Sequence, residues 1–163
     1  MPFIEKITVY PIKSLDGVDL NESQISQSGA LYLDRAFSLR NREGRTVNAK
    51  KYPAIQQLRT SYDLAEMKVN MLVSGETYSF HLLDDMPKIE AFFSDYFKDQ
   101  FTLAKDLSGG FPDDDENSGP TIVSTRTLET LQEWFPELSL YNLRLRFRAN
   151  IELGGCPEPF WDD

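Results

Sequence analysis

At 163 residues the chain can fill one good hydrophobic core, or one compact domain and part of a second, but not two large domains. Hydrophobic residues supply 40% of it without any run long enough to cross a bilayer, which predicts a soluble protein with no membrane partner. A net charge of −9 repels phosphate backbones at long range and argues against nucleic acid, so any anion must be held by local groups.

The opening Met1-Pro2-Phe3-Ile4-Glu5-Lys6 has neither a basic start with an apolar stretch nor an Arg-rich amphipathic pattern, and no targeting signal is expected. Residues 3–12 alternate in part, with Ile7, Val9 and Pro11 opposite Lys6, Thr8 and Tyr10, as in a half-buried strand ending near Lys13-Ser14. From Ala36 to Val47 two strand-like arms flank Asn41-Arg42-Glu43-Gly44, where Gly44 can take the positive φ of a short hairpin loop. Gln56 to Tyr62 is a weaker strand candidate that begins after Pro53. Val69 to Val73 and Thr77 to Phe80, joined across Ser74-Gly75, form a second hairpin rich in β-branched and aromatic residues.

A helix is expected after Asp84-Asp85, with an acidic cap, Pro87 in the first turn, and a core-facing stripe of Ile89, Phe92, Phe93, Tyr96 and Phe97. Phe101-Thr102-Leu103 reads as a short strand. Lys105 to Pro120 is aperiodic and rich in Gly, Asp, Ser and Pro, marking a domain junction, and its run Asp113-Asp114-Asp115-Glu116 reads as a solvated loop. A second helix is capped at Ser124-Thr125, runs through Leu128, Leu131 and Phe135, and stops at Pro136. Leu143 to Leu153 alternate cleanly and predict a strand whose other face carries Arg144, Arg146, Arg148, Asn150 and Glu152. Three arginines in a row call for an acidic neighbour or a bound anion.

These elements give a mostly β fold, a barrel with two short α-helices, divided into residues 1–105 and an incomplete second β region at residues 106–163. The usual enzyme constellations are thin. His81 sits in a strand pattern and reads as a packed or surface residue rather than a base, and Gly109-Gly110 lacks the flanks of a phosphate loop. The lone Cys156 excludes an internal disulfide and a multi-cysteine metal site, and suits a reducing, cytoplasmic setting. It reads as a buried small residue. What remains is a set of polar clusters at element ends: Lys13-Ser14, Arg35, Lys50, Ser124-Thr125-Arg126, and Arg148 with Asn150. Each contains a cation, hydroxyl or amide, and together they could hold a polar anion.

Ile7-Thr8-Val9-Tyr10-Pro11-Ile12-Lys13-Ser14, followed by Gly17, resembles the opening signature of MOSC N-terminal β-barrel domains. Leu33-Asp34-Arg35 after Gly29 resembles the next family element, and Asn48-Ala49-Lys50 with Pro53 a third, where relatives commonly carry threonine and arginine at the positions of Asn48 and Lys50. Ser124-Thr125-Arg126-Thr127-Leu128 and Arg146-Phe147-Arg148-Ala149-Asn150-Ile151, with Ala149 in place of the usual proline, resemble the helix start and most recognisable strand of the MOSC domain. Pro159-Phe160-Trp161-Asp162-Asp163 resembles its acidic-aromatic segment. Relatives include bacterial MOSC reductases, the mitochondrial amidoxime-reducing component and the carboxyl-terminal part of molybdenum-cofactor sulfurases.

The resemblance implies the amino-terminal part of a molybdenum-cofactor oxidoreductase that reduces N-hydroxylated small molecules with electrons from a redox partner protein. Lys13, Ser14, Arg35, Lys50, Ser124, Thr125, Arg126, Arg148 and Asn150 would contact the molybdopterin. No catalytic residue or metal ligand is assigned to this chain, because the family's ligand cysteine lies downstream of the acidic-aromatic segment. Two other readings stand beside it: a sulfur-carrier role related to cofactor sulfuration, and a non-catalytic β-barrel that binds an anionic small molecule or a protein partner.

Overall fold

The computed structural model describes residues 1–113 and 119–161, which form nine strands and three α-helices. Strand β1 (Phe3–Val9) turns back through β2 (Val18–Leu20), and β3 (Phe37–Asn41) follows. A 3-10 turn at Pro53–Gln57 leads into the meander β4 (Arg59–Asp63), β5 (Lys68–Val73) and β6 (Glu76–His81). Helix α1 (Met86–Phe97) and β7 (Phe101–Lys105) complete the first half. The second half runs β8 (Ile122–Ser124), α2 (Thr125–Trp134), α3 (Leu140–Phe147) and β9 (Ile151–Gly154). The mostly β class read from the sequence holds, with one more helix than expected.

The strands pair as β4-β5-β6, β3-β7 and β2-β1-β9-β8. Alternation explains the first sheet: Val69 and Met71 of β5 point inward and are fully buried, while Lys68 and Leu72 face out. Its hairpin turns at Ser74-Gly75, as expected. The hairpin expected around residues 41–44 forms only as an isolated bridge between Arg40 and Thr46, with Gly44 at φ +73°. Strand β3 takes β7 as its regular antiparallel partner instead. These strands and α1 enclose one core, to which Phe37, Leu39, Leu58, Met71, Ile89 and Phe93 contribute fully buried side chains. Helix α1 lies along it as the apolar stripe predicted, and Pro87 occupies its first turn. The Asp85 carboxylate, however, accepts from His81 N at 2.9 Å rather than from a helix amide.

A smaller cluster of Val123, Leu128 and Leu143 holds the second half. Strands β8 and β9 are parallel, and a parallel pair needs a crossover, which α2 and α3 supply. Strand β9 also pairs antiparallel with β1, so the first strand of the chain and the last lie side by side in one sheet. The proposed division at residue 105 thus separates two cores but not two sheets.

The strand expected over residues 143–153 is overturned. Residues 140–147 are helical, Arg148 ends the helix in the left-handed conformation at φ +53°, and only Ile151–Gly154 is extended. Leu140, Leu143 and Phe147 satisfy a helical period as well as the alternation does, and Leu and Arg favour helix where β-branched residues would favour strand. Ser139 caps the helix, its Oγ accepting from Asn142 N at 3.2 Å. Residues two apart on a helix point about 200° from each other, so Arg144 and Arg146 serve opposite faces. The acidic neighbour expected for the arginines does exist: Glu152 receives Arg144 Nε at 2.7 Å and Nη2 at 2.8 Å.

Of the loop residues Asp113 to Glu116, only Asp113 lies within the described residues, as do Pro159, Phe160 and Trp161 but not Asp162 and Asp163 of the last segment. Among the described residues no helix is long and apolar enough to cross a membrane.

Candidate functional site

The chain leaving β1 crosses one end of the main core as Tyr10-Pro11-Ile12-Lys13-Ser14-Leu15. Ile12 and Leu15 are buried and anchor it there. Backbone bonds lash it to the approach to β3: Arg35 N to Tyr10 O at 2.8 Å, Phe37 N to Pro11 O at 2.9 Å, and Lys13 N to Phe37 O at 2.8 Å. Lys13 and Arg35 are thereby set side by side. The buried Asp34 carboxylate ties both strands of this ladder, accepting from Tyr10 N at 2.8 Å with one oxygen and from the Arg35 guanidinium with the other.

The end of α3 supplies the next cation. Arg148 lies over the Tyr10 ring, 4.1 Å from its centroid, and donates to Leu15 O at 2.6 Å. Burial pulls its pKa below the ordinary guanidinium value and the charge of Arg35 adds to the effect, partly offset by Tyr10, Tyr62 and Asp16. A guanidinium still keeps its proton at neutral pH, so two like charges face one space. Burial also pushes the Tyr10 hydroxyl up to about 12, which keeps it neutral beneath the guanidinium.

These groups border a cleft of about 650 Å³. Lys13, Ser14, Arg35, Arg59, Arg146 and Arg148 line it above an apolar floor that includes Ile55 and Leu58. Five cations therefore meet two lining carboxylates, Asp16 and Asp113, in a chain of net charge −9. Asp16 is committed locally: it accepts from Thr60 N at 2.9 Å and pairs with Arg59 Nη1 at 3.2 Å. Ser14, Arg35 and Arg148 all have positive φ, at +73°, +51° and +53°. Non-glycine residues seldom adopt that region; at Arg148 it is the left-handed end of α3, and at Ser14 and Arg35 it turns the backbone where the two segments meet.

Asp113 lies over the cations, with Oδ1 2.9 Å from Lys13 Nζ and Oδ2 3.9 Å from Arg35 Nε. Burial raises its pKa, but the Lys13 hydrogen bond and the charges of Lys13, Arg35 and Arg148 outweigh that and leave it below the usual carboxylate range.

Of the residues the sequence singled out, Lys13, Ser14, Arg35 and Arg148 come together here, although the Ser14 hydroxyl is already spent on Val47 O at 2.9 Å. The other five do not line the cleft. Lys50 is exposed beside it, next to the lining Ala49. Ser124 is buried as the cap of α2, accepting from Thr127 N at 3.1 Å, and Thr125 Oγ1 donates to Glu152 at 2.9 Å. Arg126 pairs across its own helix with Glu129 and Glu133, at 3.5 and 3.7 Å. Asn150 is buried and acts as a staple: its Oδ1 accepts from Thr121 N and Oγ1, both at 3.1 Å, and its Nδ2 donates to Thr8 O at 3.0 Å. The α2 start therefore closes on its own cap, the sheet and its own carboxylates.

Arg59, Arg146 and Asp113 are cleft residues the sequence reading did not assign. Arg59 opens an amphipathic strand and gave no distinct signal, and Arg146 stood beside Arg148 on the arginine face of the expected strand with nothing to single it out from Arg144. His81 is half-buried at the end of β6 and holds the following turn, its Nδ1 accepting from Leu83 N and Asp84 N at 3.3 and 3.1 Å. Cys156 is buried away from the cleft, with Sγ 3.9 Å from Leu153 O. Among the described residues no group of three or more His, Cys, Asp or Glu could hold a metal ion.

No curated protein matches the chain. The family model of the MOSC N-terminal beta barrel domain matches residues 1–89, more than half of the 163 residues, and includes Lys13, Ser14, Arg35 and Arg59 of the cleft together with the β4-β5-β6 meander. This chain belongs to the MOSC N-terminal beta barrel domain family.

Proposed function

We propose that the chain is the amino-terminal part of a molybdenum-cofactor MOSC oxidoreductase, with residues 106–163 as the start of the MOSC domain and the cleft as the seat of the cofactor's anionic end. One observation carries the reading: Lys13, Arg35 and Arg148 converge on one cleft in an acidic protein, and their like charges bias that cleft toward an anion. The donor set fits a phosphate. Lys13 offers a rotatable ammonium, Arg35 and Arg148 offer planar forks, and Arg59 and Arg146 extend the positive wall along which a polar ring system can lie.

The fit ends at the organic part. Cys156, the chain's one cysteine, is buried and does not line the cleft, so metal coordination is not assigned to this chain. The molybdenum cofactor, when bound, supplies the electron chemistry for reducing an N-hydroxylated small molecule, with a redox partner protein as electron source. The role of these residues is to bind and orient. Asp34 fixes the Arg35 fork, and the Tyr10 ring and Leu15 carbonyl hold Arg148 so that little side-chain entropy is lost when the anion arrives.

The test is calorimetric titration with inorganic phosphate and with isolated molybdopterin. The wild-type chain should bind both, and Arg148→Met or Lys13→Ala should each weaken binding about tenfold or more, the loss of one charge-assisted hydrogen bond. Phosphate binding that is unaltered in both variants would refute the assignment. Retained phosphate binding without molybdopterin binding would instead favour a non-catalytic anion-binding barrel.

A further inference from the structure

The cations of the cleft are not bare. Lys13 Nζ donates to Pro112 O at 2.9 Å as well as contacting Asp113 Oδ1 at 2.9 Å, and Phe111 N donates to Arg35 O at 2.8 Å. The Phe111 ring is held in turn by the Arg40 guanidinium, 5.1 Å from its centroid. Asp113 is thus delivered to Lys13 and Arg35 by a backbone fastened on the same two residues. Its carboxylate remains largely exposed, at 77%, so it rests on the cations from the solvent side. Arg148 makes no ion pair with it and keeps to Leu15 O and Tyr10.

We propose that Asp113 is an internal competitor of the cleft: its carboxylate occupies the seat of an anionic ligand and must be displaced before a phosphate can bind. The proposal rests on the anion-binding reading of the cleft. A tethered carboxylate acts at an effective concentration of about millimolar or more, so it outcompetes dilute free anions of similar strength without preventing the binding of a better one. It also relieves the repulsion between Lys13, Arg35 and Arg148 in the empty site. A phosphate dianion gains what Asp113 leaves unused, because Asp113 reaches Arg35 only at 3.9 Å and does not engage Arg148. Displacement lowers the apparent affinity of every competing anion by one common factor, the seating equilibrium of Asp113.

The experiment titrates the full chain with inorganic phosphate at about pH 8 and separately with acetate, comparing wild type, Asp113→Asn and Glu137→Gln by calorimetry and by ligand-induced thermal shift. Glu137 is exposed and outside the cleft, so its variant reports the effect of net charge alone. Asp113→Asn should raise the affinity for both anions by a similar factor, about five-fold to ten-fold for a partly exposed ion-pair network, and enlarge the thermal shift, with Glu137→Gln unchanged. Unaltered affinity in Asp113→Asn while wild type binds phosphate would overturn the proposal alone, as would an equal rise in Glu137→Gln. Phosphate binding by neither wild type nor Asp113→Asn would overturn the anion-binding reading itself.

Discussion

Replacing Asn150 with alanine separates two roles that the residue could have. Its amide makes three hydrogen bonds, two to Thr121 and one to Thr8 O, and the side chain is 1% exposed. They join β1 to the residue that leads into β8, at the place where the first and last strands meet. A net worth of about 1 kcal/mol for each of these part-buried bonds gives a loss of about 3 kcal/mol. For a chain of this length that corresponds to a fall in melting temperature of about 6–12 °C. Thermal unfolding followed by circular dichroism measures it, alongside phosphate titration at a temperature where the variant is folded. Asn150→Ala should melt early and bind phosphate within about twofold of wild type, since the amide does not line the cleft. A variant that melts within about 2 °C of wild type yet no longer binds phosphate would refute the staple and restore the ligand contact.

Three further outcomes follow from the packing. Gly110→Ala should destabilise by about 1–3 kcal/mol in urea unfolding, because φ is +69° and the added Cβ would sit 2.5 Å from Asp34 O, a backbone atom that cannot rotate aside; Gly109→Ala, with its nearest neighbour at 3.5 Å, should be close to neutral. Phe93→Ala should cost about 3–5 kcal/mol, since the ring is fully buried between Phe92 and Phe97 and leaves a cavity at the centre of the core. Burial raises the Glu152 carboxyl, but Arg144 and Thr125 outweigh it and hold the pKa below its ordinary 4.5. Its stabilising contribution is therefore complete above about pH 4.5 and is lost as pH falls through the lower folded value. Glu152→Gln should reduce stability at neutral pH and flatten that acid limb in melting curves taken across the range; an unchanged limb would show that the pair with Arg144 does not form.

Conversion of the cleft from an arrangement into an activity depends on the chemistry that meets it. The chain's own contribution is electrostatic and geometric, with cations preplaced by Asp34, Tyr10 and Leu15 and covered by Asp113. That contribution is measurable with simple anions, independently of electron transfer.

Local pattern alone was enough for the elements whose side chains follow a single period. Val69 and Met71 alternate, Ile89 and Phe93 recur at helical spacing, and Ser124 caps α2, so the meander and two helices were legible before any contact was known. The Tyr10 to Ser14 signature and Leu33-Asp34-Arg35 likewise pointed to cleft residues through family likeness. Residues 143–147 satisfied two periods at once, and there local pattern could not decide: the Ser139 cap, the packing of Leu143 on Val123 and Leu128, and the left-handed turn at Arg148 selected the helix. The same ambiguity left the arginines unsorted: a 360° step per two residues puts Arg144, Arg146 and Arg148 on one face, whereas the 200° step of the helix sends Arg144 to Glu152 and Arg146 to the cleft. Tertiary structure also decided which polar groups were free to meet a ligand. Asn150, Ser124 and Thr125 have the right chemistry for an anion, but in the fold each is taken by a closer partner: Thr121 and Thr8 for Asn150, the α2 amide of Thr127 for Ser124, and Glu152 of β9 for Thr125. A sequence records what a side chain can donate or accept; only the fold determines which of the competing partners stands within reach.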